Sequence, residues 1–326
     1  MRETRDVLRE AVFMIRPPVL EKGETLGVVS PAGPVRRERL EAGLASLRAL
    51  GFHLVLARHV FDRDGYLAGR DEDRAGDMME MFLSPGVKGI IAARGGYGCA
   101  RIVDLLDYRA ISQSPKAFVG SSDITFLHLA LQQKAGLITF HGPMVEVDPE
   151  TGFPSYSLEG LFTALTVTRP LGLLGMPPGT RTRALSPGTA EGPLAGGNLS
   201  LLVSSLGTPY ELDTRGRILL LEEVGERPYR VDRMLRQMEM SGKLRDAAGI
   251  VVGDMTRCDP VEGEESQSIE EVLEHALARI GKPCLVGLPF GHGAYKATLP
   301  LGVIARLDAG AGVLEFTQAA LEEGKL

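Results

Sequence analysis

Gly120-Ser121-Ser122-Asp123 is the stretch of this chain that could carry nucleophilic chemistry. A short apolar run, Ala117-Phe118-Val119, ends at Gly120, and an apolar pattern with helical spacing starts directly after Asp123. A strand that turns into a helix without a loop can hold one hydroxyl clear of the backbone. It also points the next N–H at a developing oxyanion. Gly120, two residues before Ser122, gives such a turn room. The same residues also fit a plain helix start, with Ser122 or Asp123 capping a helix over 123–134. Alone, the stretch does not establish an enzyme.

A nucleophilic serine needs a base, and the base needs an orienting acceptor. Of the 6 histidines, His128 and His275 fall inside helical patterns, His53 opens a strand and His59 closes one. His141 and His292 sit in strand-end loops, and His292 has a glycine on each side. The acceptor candidate follows the apolar run Ile218 to Leu221, which leads straight into Glu222-Glu223. Strand alternation predicts one glutamate facing the interior and the other facing solvent. A carboxylate at the end of a buried strand must be hydrogen-bonded or paired. A salt bridge to Arg230 or Arg233 would satisfy that need as well as a histidine would.

The elements that must position these groups alternate through the first half of the chain. Strands are read over 25–33, 53–57, 87–93, 117–120 and 137–143, with helices over 36–51, 71–84, 99–107 and 123–134. This order predicts an α/β fold whose N-terminal domain, 14–165, is a three-layer parallel-sheet unit of flavodoxin- or amidotransferase-like type. Sites in such sheets lie beyond the carboxyl ends of the strands. A segment dense in Pro, Gly and Thr over 166–188 reads as a linker. Residues 189–326 mix strands and helices less regularly and read as a smaller C-terminal α/β domain. Residues 1–13 read as an N-terminal extension, with charges that alternate and no secretory pattern.

The chain has 326 residues, 44% hydrophobic and 24% charged, with a net charge of -6. That balance fits a soluble globular protein and argues against nucleic acid, whose phosphates need clustered Lys and Arg. No apolar run reaches the roughly 20 residues that would span a membrane. The 3 cysteines are far apart and in no metal-type spacing, which points to a reducing cytoplasm. "RGGYG" (94–98) lacks G-x-G-x-x-G spacing, and neither G-x-x-x-x-G-K-[ST] nor H-E-x-x-H occurs. No cofactor and no metal are expected.

"GSSD", "LLLEEVGERPYRVDRML" and "GLPFGHG", in that order, resemble the LD-carboxypeptidase family of serine peptidases, which includes the microcin C immunity proteases. "GVVSPAGPV", "YLAGRDEDRAGDM", "ARGGYGCARIVDLLDY", "TFHGPM" and "PLAGGNLSLLVSSLGTPYELD" extend the resemblance over nearly the whole chain from Met14. It implies a triad split between domains, with Ser122 as nucleophile, His292 as general base and Glu222 as its acceptor. The oxyanion donors would be the N–H groups of Asp123 and Gly96. Gly95 and Gly96 would bring the backbone close to substrate. Arg94 would take the substrate carboxylate or bridge the domains. Where family members often carry a larger residue, commonly aromatic, this chain has Ser121, so two hydroxyls stand side by side.

The implied activity is release of the terminal D-alanine from murein tetrapeptide, by a cytoplasmic homodimer. An immunity-type hydrolase of peptidyl-nucleotide amides is the alternative, and the absence of Trp and the small number of aromatics count against it. A two-domain peptide-binding protein without chemistry is the reading from another class. An α/β-hydrolase shares the order Ser, Glu, His but would need G-x-S-x-G at the turn.

Overall fold

The computed structural model describes residues 14–324, and the extension read over 1–13 lies outside them. Strands β1 (Thr25–Val29), β2 (His53–Leu56), β3 (Val87–Ala92), β4 (Ala117–Gly120) and β5 (Thr139–His141) pair in parallel in the order β2-β1-β3-β4-β5. This is a doubly-wound order, in which the crevice between β1 and β3 opens at their carboxyl ends. Every residue of β4 is buried, whereas the edge strand β2 alternates between exposed and half-buried positions. Helices form where the apolar spacing predicts. Helix Arg37–Ala49 buries Leu40, Leu44 and Leu47, and helix Asp71–Leu83 carries three acidic residues in its first turn.

The C-terminal part contains β6 (Gly172–Leu173), β7 (Arg183–Ser186), β8 (Thr189–Asn198), β9 (Ile218–Val224), β10 (Gly249–Thr256), β11 (Cys284–Val286), β12 (Leu299–Leu301), β13 (Ile304–Asp308) and β14 (Val313–Phe316). Eight of them form a second sheet in the order β6-β14-β13-β8-β9-β10-β11-β7, with β8 to β11 parallel. The segment read as a linker therefore supplies an edge strand to each end of this sheet. β12 leaves for the first sheet, where it pairs antiparallel with β5. The chain between β11 and β12, which carries His292, thus crosses from one sheet to the other.

β9 is central and buried on both faces. Leu219 and Leu221 pack with Val231, Leu235, Val272 and Leu273 of helices Pro228–Met240 and Ile269–Leu277. Ile218 and Leu220 join the core shared with the N-terminal sheet. No described helix is long and apolar enough to cross a membrane.

Candidate active site

Ser122 stands at the carboxyl end of β4 with a φ of 61°, and only Arg257, at 55°, shares a positive φ among the described non-glycine residues. That conformation costs a serine about 1 to 3 kcal/mol, so it persists only where the surroundings impose it. Two close packings do so here. A Cβ on Gly95 would lie 2.9 Å from Ser122 Cβ, and one on Gly120 would lie 2.7 Å from Ile124. A one-turn 3-10 helix, Ser122–Ile124, follows and runs into helix Thr125–Ala130. Its first residues have no carbonyl behind them to bond, which leaves the Asp123 N–H free of that helix.

The capping alternative is not what the turn does. Neither Ser122 nor Asp123 caps with its side chain. Asp123 Oδ2 instead accepts the Cys99 N–H at 2.8 Å, tying the turn to the end of the Arg94–Gly98 loop. Ser121 is 3% exposed, whereas Ser122 lines a cavity of about 430 Å³ together with His292, Gly96 and Arg257. Of the two adjacent hydroxyls, Ser122 is the one a substrate can reach.

His292 Nδ1 lies 2.7 Å from Glu222 Oε2. The glycines beside the ring have steric reasons. A Cβ on Gly291, where φ is 114°, would sit 2.8 Å from Glu222 Oε2, and one on Gly293 would sit 2.5 Å from the Asp254 carboxyl. Asp254 holds this turn twice, its N–H donating to the Phe290 carbonyl at 2.8 Å and its Oδ2 accepting the Gly293 N–H at 2.9 Å. Burial pushes the Asp254 carboxyl above its ordinary pKa. Lys296, whose Nζ donates to the Gly293 carbonyl at 2.8 Å, is pulled below its own by burial.

The two halves of the site are joined through a short relay. Asn198 faces Glu222 in the β8–β9 register, and its N–H donates to Thr125 Oγ1 at 3.1 Å, three residues beyond Ser122. Gly197, with φ at 144°, leaves no room there for a side chain, since a Cβ would lie 2.6 Å from Thr125 Oγ1. The carboxylate strand is thereby docked against the helix that begins at the serine.

Several expectations change. Glu222 and Glu223 are both buried, at 0% and 2% exposure, so neither faces solvent. Alternation does send them to opposite faces, but both faces of this central parallel strand are covered. Glu223 is held by Asn198 Nδ2 and by the N–H and hydroxyl of Ser200, at 2.7 to 3.0 Å, not by Arg230 or Arg233. Arg94 bridges no domains: its Nη1 donates to the Pro34 carbonyl at 3.0 Å and its Nε lies 3.5 Å from Glu146 Oε2. Gly95 and Gly96, the latter with φ at 116°, both line the cavity, and Gly95 also packs on Ser122 itself.

Sequence reading missed Asp254, although the rule applied to Glu222, a carboxylate closing a buried strand, covers it equally. It also missed Arg74, 1% exposed, whose Nη1 donates to the carbonyls of Pro31 and of Gly98, the latter at 3.0 Å. That guanidinium pins the loops after β1 and β3 side by side. His59, Asp62 and Asp73 place ligand-type atoms within 4.8 Å of one another. None of them lines the Ser122 cavity.

Comparisons with known proteins agree with this architecture. The family model of the LD-carboxypeptidase N-terminal domain matches residues 26–142, and that of the C-terminal domain matches 191–307. A probable murein peptide carboxypeptidase of Bacillus subtilis is 43% identical over 317 residues, covering 95% of this chain and 97% of its own. The crystal structure of muramoyltetrapeptide carboxypeptidase from Oxalobacter formigenes superposes with a TM-score of 0.78 at 32% identity, covering 89% of this chain and 97% of its own. The microcin C7 self-immunity protein MccF in its wild-type apo state gives 0.88 at 25% identity, covering 94% and 100%. The chain belongs to the LD-carboxypeptidase family and is a serine-type peptidase.

Proposed function

We propose that this carboxypeptidase removes the terminal D-alanine from murein tetrapeptide by cutting the bond that joins it to the L-centred diamino acid. The observation that carries the reading is the 2.7 Å contact of Glu222 with His292 Nδ1, on a ring that walls the same cavity as Ser122. With Nδ1 committed to the carboxylate, Nε2 is the nitrogen left to exchange protons. Ser122 Oγ attacks the carbonyl carbon and its proton passes to Nε2. The tetrahedral oxyanion is held by the Asp123 and Gly96 N–H groups. Collapse breaks the C–N bond, and the imidazolium returns the proton to the leaving amine. His292 then activates a water that hydrolyses the acyl-serine. Glu222 keeps the ring in the right tautomer and stabilises the imidazolium.

One observation favours a second substrate class. Tyr66 and Tyr97, 66% and 49% exposed, form an edge-on pair with centroids 5.7 Å apart. They line a second cavity, also about 430 Å³, with Arg36, Arg63 and Arg94. Two rings beside three arginines could hold a nucleobase and a phosphate, so the shortage of aromatics does not by itself remove the peptidyl-nucleotide alternative.

Incubation with murein tetrapeptide and with a peptidyl adenylate separates the readings. D-alanine release that disappears in Ser122→Ala and persists in Ser121→Ala is the expected result. Cleavage of the adenylate alone would move the substrate to the second class. Turnover of neither would place the substrate of this peptidase outside both classes.

A further inference from the structure

Two non-glycine residues among those described hold a positive φ, and both line one cavity. The first is Ser122. The second is Arg257, at 55°, in the turn that follows β10, the strand that also delivers Asp254 to the His292 turn. Strain of this kind collects at functional sites because the rest of the fold must hold it in place. Asn or Gly would relieve it at this position, and an arginine does not.

The other arginines of the cavity are distinguished by what they already touch. Arg39 lies 3.6 Å from both Glu146 and Asp148, and Arg94 is engaged by Glu146 and the Pro34 carbonyl. The side chains of Arg36 and Arg257 make no ion pair or hydrogen bond among the described residues, but Arg36 also borders the Tyr66–Tyr97 cavity. Arg257 is therefore the one cation that combines an uncommitted guanidinium, a strained backbone and a place in the serine–histidine chamber alone.

The geometry points to Arg257 as the receptor for the substrate's free terminal carboxylate, a binding site for the leaving D-amino acid that makes the enzyme an exopeptidase. The planar guanidinium fork matches a carboxylate with two parallel N–H···O bonds. Arg257 lies on the C-terminal side of the cleft with His292, and the leaving amine must face that ring to receive its proton. A carboxylate one carbon from that amine then falls to the same side. This inference rests on the carboxypeptidase reading above and replaces Arg94, which has its partners already.

The test compares a murein tetrapeptide acid with its C-terminal amide in the wild type, Arg257→Gly, Arg257→Lys and Arg94→Ala. Glycine suits the backbone at this position, so Arg257→Gly should fold with thermal stability equal to or above the wild type. Its kcat/KM on the acid should fall about 10- to 100-fold, mainly through KM, with little change on the amide. Arg257→Lys should recover part of the loss. The assignment is overturned if Arg257→Gly keeps the wild-type preference for acid over amide. It is equally overturned if Arg94→Ala loses that preference and Arg257→Gly does not. Wild-type protein that releases no D-alanine from the acid overturns the parent reading and this one together, which separates the two failures.

Discussion

The serine turn and the histidine turn solve the same positioning problem by different means. Ser122 is fixed locally: Gly95 and Gly120 leave space, Ile124 and the following helix close in, and the backbone takes a strained angle. His292 is fixed from a distance. Its ring is bonded to a carboxylate on β9 and its turn is held twice by Asp254 on β10, far from it in sequence. Backbone packing places the serine, and a buried carboxylate places the imidazole. In the proposed triad a hydroxyl needs only an address, whereas an imidazole that takes up a proton needs a partner for its charge.

The largest effect should come from removing the base's partner while keeping its shape. Glu222→Gln should lower kcat by about 10³- to 10⁴-fold by disturbing the imidazole tautomer and charge, with the fold retained by circular dichroism. Glu223→Gln on the same strand should instead act on stability, because that carboxylate serves Asn198 and Ser200; equal kinetic losses in both variants would erase the distinction. On the other side of the cleft, Gly95→Ala should cost about 10²-fold in kcat, since its methyl would displace Ser122. Wild-type turnover in that variant would show that the close packing is incidental. Asp254→Asn is expected to be milder, about 10-fold in kcat with KM little changed, because the amide oxygen can still accept the Gly293 N–H.

The smallest effect is in stability against pH. Beneath the site, His141 is buried against Phe290, with no hydrogen-bond partner for either ring nitrogen among the described residues. Burial pulls its pKa from 6.5 to about 3. His128, buried with one nitrogen on the Gly120 carbonyl, is pulled by burial from 6.5 to about 4. Both pKa values are depressed on folding. Their contribution is complete above pH 6.5 and is lost as pH falls from there, because the unfolded chain binds protons that the native state refuses. His141→Leu should reduce the fall in unfolding free energy between pH 6.5 and 4.5 by up to about 1.4 kcal/mol per pH unit. Denaturant melts at several pH values would read it, and parallel curves for wild type and variant would contradict the assignment.

How far each part could be read from sequence follows the same division. The parallel sheet and the serine turn were legible because their signals are local: buried runs such as Ala117–Val119, an apolar helix period, and Gly-Ser-Ser-Asp between them. The pairing of Glu222 with His292 came from family resemblance, since nothing in "LLLEEV" distinguishes a triad carboxylate from a structural one. Glu223 shows the difficulty. The alternation rule sends it to the correct opposite face, but the helices that cover that face are set by tertiary packing. β6 and β7 look like linker in the sequence because edge strands of two and four residues carry almost no pattern. Asp254 and Arg74 act through hydrogen bonds to distant loops, and the strain at Arg257 lies in its backbone angle; no short window of sequence contains either.

Catalysis as proposed requires the Ser122 hydroxyl and the His292 imidazole to act on one another across the cleft. Reaction with a fluorophosphonate, followed by peptide mass spectrometry, reads this directly. The expected result is a single adduct on Ser122, with labelling slowed by at least about 10²-fold in His292→Ala and unchanged in Ser121→Ala. An adduct on Ser121, or a Ser122 that labels as fast without His292 as with it, would contradict the account.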